Sequence, residues 1–371
     1  MNKPIPGTVG ILVDESSGPL PFTEPDFCRK LCMIGRRYNM AIYIFCPTWV
    51  HSGKNLIPGF TYENGSWIKK MFPFPDIIYD RFFSRDNKHQ RLKQRCLSLL
   101  TDNHPFVYLT RGLAGKWAVY QALCKSKEIA PYLPETIQYT GAIQLADWLS
   151  SHGGEAFLKP QHGTHGKRTL HVKITNMDDR LRVRGRSGNN TIFRRIFRNK
   201  ADGFEWINKI TGKRNYLLQQ YLQLNSSQEE PFDIRVLMQK NQNGLWSLTG
   251  MAVRAGRRNS LTSNLHGGGT AYEVLPFLGR ELGTTVSNEL IHLITQLSER
   301  IPSYLESYFG RLAELGIDFG VDKEGKVWIL EVNSKPGRSS FSQIGDMKSA
   351  RRSIENPIHY ARYLLLSRPR E

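Results

Sequence analysis

The stretch ILEVNSKPG, residues 329–337, sets Glu331 and Asn333 two places apart on an apolar strand that stops at Pro-Gly. Strand side chains alternate between faces, so these two polar groups point the same way. A second apolar stretch, GIDFGV, precedes it across Asp322–Gly325. Pairing the two as a hairpin puts Asp318 opposite Glu331 if the loop is Glu324-Gly325. A loop of Asp322–Gly325 puts it opposite Ile329 and beside Glu331 instead. Either register predicts one face with Gly316, Asp318, Gly320, Ile329, Glu331 and Asn333. The other face is then apolar, with Ile317, Phe319, Val321, Trp328, Leu330 and Val332. Two carboxylates and an amide oxygen are hard donors that suit Mg²⁺, which keeps positions for water and phosphate oxygens. A solvated face of an antiparallel sheet shows the same alternation, so the reading needs support from elsewhere in the chain.

That support begins in FLKPQHGTHGKRTLHV, residues 157–172. Lys159 ends a strand and leads into a turn with Gly163, Gly166, Lys167 and Arg168. Glycines let backbone N–H groups approach phosphate oxygens, and the basic residues add charge. The spacing is not that of a P-loop, and an ordinary basic turn has a similar composition. Tyr216–Leu224 reads as a strand whose backbone edge offers an N–H and a C=O to an adenine, or as a plain core strand. Asp233 and Arg235 share a strand face, as an in-sheet ion pair also would. Arg254 ends the following strand. Asn264 precedes Gly267–Gly269, a segment suited to closing over a ligand or to an ordinary surface loop. Lys116 opens a helix and, taken alone, is a surface lysine. His162, His165 and His266 lack metal-ligand spacing. Triad hydrolases and zinc proteases are disfavoured because neither G-x-S-x-G nor H-E-x-x-H occurs.

The elements that must position these residues follow from apolar patterning. Strands at Thr8–Val13, Met40–Cys46 and Ile77–Tyr79 alternate with a basic helix at Phe27–Tyr38, which predicts a small α/β domain over residues 1–104. It holds no G-x-G-x-x-G, so no dinucleotide site is expected there. Residues 105–224 form a second unit with the Gly-rich turn, and residues 225–371 a third with the hairpin and a closing C-terminal helix. Leu290, Ile294, Leu297, Ile301 and Leu305 recur at helical steps within Asn288–Glu306. The fold class is α/β, with an α+β character after the first domain.

The chain has 371 residues and a formal net charge of +18, which favours an anionic partner such as a nucleotide, an acidic polymer or a nucleic acid. Arg180–Lys200 is its most basic region. Few aromatics interleave there, only Phe193 and Phe197, so nucleic acid is not the expected partner. Five cysteines without a C-x-x-C pair suggest a reduced, cytoplasmic setting. No signal peptide or membrane span is expected.

The order of these pieces resembles the ATP-grasp superfamily over roughly residues 105–366. Within it the chain resembles the YheC/YheD endospore coat-associated group, through PDIIYDR, GKWAVYQAL, YLPET, FDIRVLMQK, WSLTGMAVR and SNLHGGG. The resemblance implies that Lys116 and Lys159 contact the α/β-phosphates of ATP and that the Gly163–Lys167 turn covers them. It implies an adenine-binding hinge at Gln220, Tyr221 and Leu222. Asp318, Glu331 and Asn333 would hold Mg²⁺, and Arg235 and Arg254 would face the γ-phosphate or a substrate carboxylate, with Asn264 nearby. Many relatives begin the hinge with an acid where this chain has Gln219-Gln220, which leaves Glu229 as the candidate ribose partner. The implied function is an ATP- and Mg²⁺-dependent carboxylate–amine ligase acting through an acylphosphate on a small-molecule or peptide carboxylate, acidic in character. Its rivals are a non-catalytic ATP-binding coat protein and a basic nucleic-acid binder.

Overall fold

The computed structural model describes residues 7–84, 86–163, 166–175, 179–212, 214–258, 260–263 and 268–367. The first sheet has the order β4-β3-β2-β1-β5-β6. Its strands are β1 Thr8–Leu12, β2 Ala41–Phe45, β3 Leu56–Glu63, β4 Ser66–Pro73, β5 Ile77–Asp80 and β6 Val107–Thr110. β2, β1, β5 and β6 run parallel, so each needs a crossover. Helix α1 (Pro25–Arg37) makes one and α2 (Asn87–Asn103) another. They lie on opposite faces: Cys28, Leu31 and Cys32 of α1 pack on Val9, Ile11 and Ile42, while Cys96 and Leu100 of α2 pack on Leu12, Tyr43 and Ile78. Burial on both faces explains why these strands read as unbroken apolar runs. β6 lies past the boundary expected at residue 104.

The second sheet is antiparallel, in the order β11-β10-β9-β8-β12-β7. It comprises β7 Thr136–Tyr139, β8 Glu155–Pro160, β9 Leu170–Thr175, β10 Arg180–Arg186, β11 Ile192–Phe197 and β12 Tyr216–Gln219. Helix α3 (Lys116–Cys124) precedes β7 and packs on the third sheet instead, through Val119, Ala122 and Leu123. Helices α4 (Ala142–Ser151) and α5 (Lys200–Thr211) cover one face of the second sheet, where Trp148, Leu149 and Ile207 meet Leu158, Val172 and Val183. The other face is turned to the cleft.

The third sheet runs β15-β14-β13-β16-β17, with β13 Phe232–Lys240, β14 Trp246–Ala255, β15 Thr270–Tyr272, β16 Glu314–Val321 and β17 Val327–Asn333. Helices α6 (Val274–Leu282) and α7 (Thr284–Phe309) cover one face, and the predicted apolar ladder of α7 is buried against Ile234, Val236 and Ile317. Helices α8 (Ser339–Gln343) and α9 (Met347–Leu366) cover part of the other face, through Phe341 and Ala350 against Leu237 and Ala252. The C-terminal helix, expected with residues 225–371, also enters the first core through Ile358, Ala361 and Leu365. Pro357 lies inside α9 and has no N–H, which frees the carbonyl of Ser353 four residues back. That carbonyl accepts from Gln239 Nε2 at 2.9 Å and Arg338 Nε at 3.0 Å.

A buried charge cluster joins the first and third sheets. Glu314 is fully buried and accepts from Tyr79 Oη at 2.5 Å and Gln239 Nε2 at 3.0 Å, and it also pairs with Arg338 and Arg81. Arg81 is in turn held by both carboxylate oxygens of Glu24, at 2.7 and 3.0 Å. Burial alone would raise the Glu314 carboxyl, but Arg338 and Arg81 hold it below its ordinary value. Truncating one member strands the others without a counter-charge. Glu314→Ala should therefore destabilise the protein by about 3–5 kcal/mol, read as a lowered urea midpoint. A Glu314→Gln variant should lose less.

Candidate functional site

The last hairpin starts one residue away from both expected registers and ends in the one that sets Asp318 opposite Glu331. Val321 pairs Val327, Gly320 pairs Trp328 and Phe319 pairs Ile329, then a bulge intervenes and Asp318 pairs Glu331. Leu330 is the extra residue. Ile329 therefore belongs to the core with Phe319, and Trp328 does not share that face. Leu330, expected in the core, lines the cleft. Past the bulge, Asp318, Glu331 and Asn333 share the cleft face as the polar pattern predicts.

That face floors a cleft of about 1480 Å³ between the second and third sheets, with the first domain closing one end. Lys116, at the start of α3, has its Nζ 3.6 Å from Glu331 Oε1. Lys159, at the end of β8, donates to the Leu330 carbonyl at 3.3 Å, a group that the bulge turns out of the ladder. Burial pushes the Lys159 ammonium down to about 8, Lys116 pushes the same way and Glu331 opposes. Gly163, Gly166, Gln220, Tyr221 and Leu222 also line the cleft. The Gln220 N–H is spent on Glu135 O at 2.9 Å and is not open to a ligand. Tyr221 stacks on His171 with ring centroids 3.7 Å apart. Glu229, with φ of 62°, lines the cleft as well.

Arg235 and Arg254 reach the cleft but their guanidiniums are engaged by acids. Arg254 makes a two-pronged pair with Asp233, both contacts at 2.7 Å, and lies 3.1 Å from Asp318 Oδ2. Arg235 Nη2 lies 3.0 Å from the same Asp318 oxygen. Burial would raise the Asp318 carboxyl, but Arg235 and Arg254 hold it below its ordinary value. Lys167 is exposed and does not line the cleft. Arg168, with φ of 61°, reverses the chain there and lines the cleft in its place. Asn264, His165 and His266 fall outside the described residues.

Among the described residues no three His, Cys, Asp or Glu side chains gather into a metal cage. Two carboxylates and one amide lining the cleft instead suit Mg²⁺, which retains water and phosphate oxygens rather than an all-protein shell. The sequence pointed to no individual residue of the first domain for this site. Glu24, Arg81, Phe83, Ser84 and Asn87 line the far end of the cleft, and Asp80 holds Lys335 at 3.0 Å. The signal was the acidic-basic end of PDIIYDR.

A family model described as YheC/D like ATP-grasp matches residues 106–364. The chain belongs to the YheC/D-like ATP-grasp family. It is 30% identical over 350 residues to the endospore coat-associated protein YheD of Bacillus subtilis (strain 168), covering 93% of this chain and 75% of that one. It is 29% identical over 323 residues to YheC of the same organism, covering 86% and 87%. Solved structures show the same fold at low identity. D-cycloserine synthetase DcsG superposes with TM-score 0.52 at 10% identity over 97% of this chain and 99% of that one. A RimK domain ATP-grasp protein from Sphaerobacter thermophilus DSM 20745 gives 0.50 at 14% identity over 95% and 98%. The fold is thus ATP-grasp, and no helix among the described residues is long and apolar enough to cross a membrane.

In this YheC/D-like cleft, burial brings the Lys159 ammonium down to about 8. Its protonated form attracts phosphate, so ATP affinity should fall as pH climbs through about 8. Lys159→Arg keeps its charge and should carry the same affinity to higher pH. Calorimetric titration of ATP at stepped pH checks both profiles.

Proposed function

We propose that the cleft binds ATP with Mg²⁺ and that the protein is a carboxylate–amine ligase working through an acylphosphate. The observation that carries this reading is the convergence of Lys116 and Lys159 with Asp318 and Glu331 on one cleft face. Asp318, Glu331 and Asn333 would hold Mg²⁺, which when bound neutralises triphosphate charge and eases displacement at the γ-phosphorus. Lys116 and Lys159 steady the phosphate chain, and Gly163 and Gly166 let backbone approach it. Tyr221 and Leu222 offer main-chain groups to adenine, and Glu229 is the proposed ribose partner. Arg235 and Arg254 keep Asp318 ionised and aimed at the cleft.

A substrate carboxylate oxygen attacks the γ-phosphorus as the bond to ADP breaks. The amine then attacks the acyl carbon, and phosphate leaves. The chain's own share is positioning and charge compensation. The far end, at Arg81, Ser84, Asn87 and Lys335, is the proposed place of the carboxylate substrate, an acidic small molecule or peptide.

A second reading is favoured by the names of the curated relatives, which speak of the endospore coat and of no reaction. It is a non-catalytic ATP-binding assembly protein of the coat. Phosphate release separates the two. With amino acids and acidic peptides as substrates, the ligase releases ADP and phosphate, and Glu331→Gln loses that release by about a hundredfold or more while its thermal unfolding stays near the parent's. ATP binding with no substrate-dependent release, or undiminished turnover by Glu331→Gln, would leave the assembly reading.

A further inference from the structure

The far end of the cleft, where the ligase reading puts the carboxylate substrate, is built by the first domain. In that domain's sheet the chain leaves β1 toward β2 and leaves β5 toward β6, in opposite directions, with α1 and α2 on opposite faces. The crevice between the carboxyl ends of β1 and β5 is therefore a topological switch point, the place where open parallel sheets hold ligands. The loops that follow the two strands are tied together there. The Phe83 N–H donates to Asp14 Oδ2 at 2.8 Å, and Arg81 reaches Glu24 at 2.7 Å. The Arg81 N–H also donates to the Leu12 carbonyl at 2.8 Å. Glu24, Arg81 and Phe83 line the cleft, so the crevice opens into it.

Among the described residues, the cations at this end are already matched by acids. Arg81 is held by Glu24 and Glu314, and Lys335 by Asp80 at 3.0 Å and by the Phe82 carbonyl. A second anionic group on the substrate would meet no uncommitted cation here and would lose its water without replacement. The exposed lining residues at this end are neutral: Phe83, Ser84, Asn87, Gly337 and Ser339. Phe83 is 40% exposed, whereas its neighbour Phe82 is buried. A lone exposed aromatic is ordinary on an outer surface, but this ring stands on an inner wall. Its main chain is tied to Asp14, and the Lys335 ammonium and Arg81 guanidinium lie 5.4 and 5.9 Å from the ring centroid. Gly337, between two residues that reach the first domain, leaves room: a Cβ added there would have no atom within 4 Å. A fixed aromatic wall with a few neutral polar groups is the composition of a small-molecule pocket.

We propose that Phe83 selects the substrate, a carboxylic acid whose side chain is uncharged and apolar, aromatic above aliphatic. The reacting carboxylate, which makes the molecule an acid, faces the phosphates. The side chain lies on the open side of the Phe83 ring, in the space beside Gly337. Ring pairs in stacked or edge-on arrangement favour an aromatic group beyond the area it buries. Ser84 and Asn87 offer hydrogen bonds to a neutral amide, so an acylated amino acid and the C-terminus of a peptide share this chemistry. The direction of the carboxylate rests on the ligase reading; the apolar seat at Phe83 does not.

The test uses the full chain with ADP and Mg²⁺ present and titrates N-acetylated phenylalanine, alanine and glutamate by calorimetry. The phenylalanine acid binds about tenfold or more tighter than the glutamate acid. Phe83→Ala removes that preference and Phe83→Trp keeps it. Gly337→Leu, which fills the open space, weakens the phenylalanine acid by about tenfold or more and leaves the alanine acid unchanged. ATP binds all three variants as it binds the parent, which shows that they are folded. A peptide ending in phenylalanine that binds tighter than the acetylated residue makes a peptide end the source, and weaker binding makes it a small acid; either fits the proposal. The proposal is overturned if the glutamate acid binds as tightly as the phenylalanine acid, if Phe83→Ala keeps the preference, or if none of the acids binds. Preferential binding without ADP release from ATP supports the apolar seat and removes the ligase reading. ADP release driven by these acids with no side-chain preference does the reverse.

Discussion

Leu330 is the residue that β17 carries without a partner on β16, and both faces of the last hairpin depend on where it sits. On the turn side of the bulge, Ile329 and Val327 go to the core beneath α7. Beyond it, Glu331 returns to the face of Asp318 and Val332 to the core. Without the extra residue, one stretch of the strand would have to point its side chains the wrong way, because a one-residue slip exchanges the faces. The same bulge releases the Leu330 carbonyl, and Lys159 takes it. A packing constraint in the third sheet thereby places a cation supplied by the second.

The charges around this point divide by burial. Asp318 and Asp233 are buried and shared between two arginines, since a buried carboxylate persists only where cations and hydrogen bonds replace its lost water. Glu331 and Asn333 stay half-buried, on the side from which a ligand enters. The site is therefore a stiff, compensated base beneath a more accessible rim, an arrangement suited to holding an anion without reorganising.

The first domain is bound to this frame by chemistry that is not apolar. Glu314, on β16, lies four residues before Asp318 and is gripped by Arg81 and Tyr79 from β5 and its end, and by Arg338 from the loop after β17. Helix α9 packs on both cores, and its proline opens one carbonyl to that same cluster. The cleft's third wall is thus held at a defined distance from its floor.

Local pattern made much of this legible. The apolar strands, the α7 ladder and the co-facial Asp318, Glu331 and Asn333 follow from side-chain period alone, which is a property of short segments. The β3–β4 hairpin and the strands of the Arg180–Lys200 region were not legible, because Pro58, Gly59, Lys69 and Lys70 break the pattern of the first and closely spaced arginines that of the second. Neither was the bulge, since one unpaired residue leaves no mark in composition. Lys167 and Arg168 exchanged places because the outcome turned on a single positive φ. Residue order alone was enough to tell which stretches are apolar, which acids can face one way, and that the motifs follow an ATP-grasp order. Tertiary contacts were needed to close Arg235 and Arg254 on Asp318 and to tie the first domain to the third sheet through Glu314. Those outcomes depend on contacts between residues far apart in the chain, and no local spacing encodes the distance between sheets.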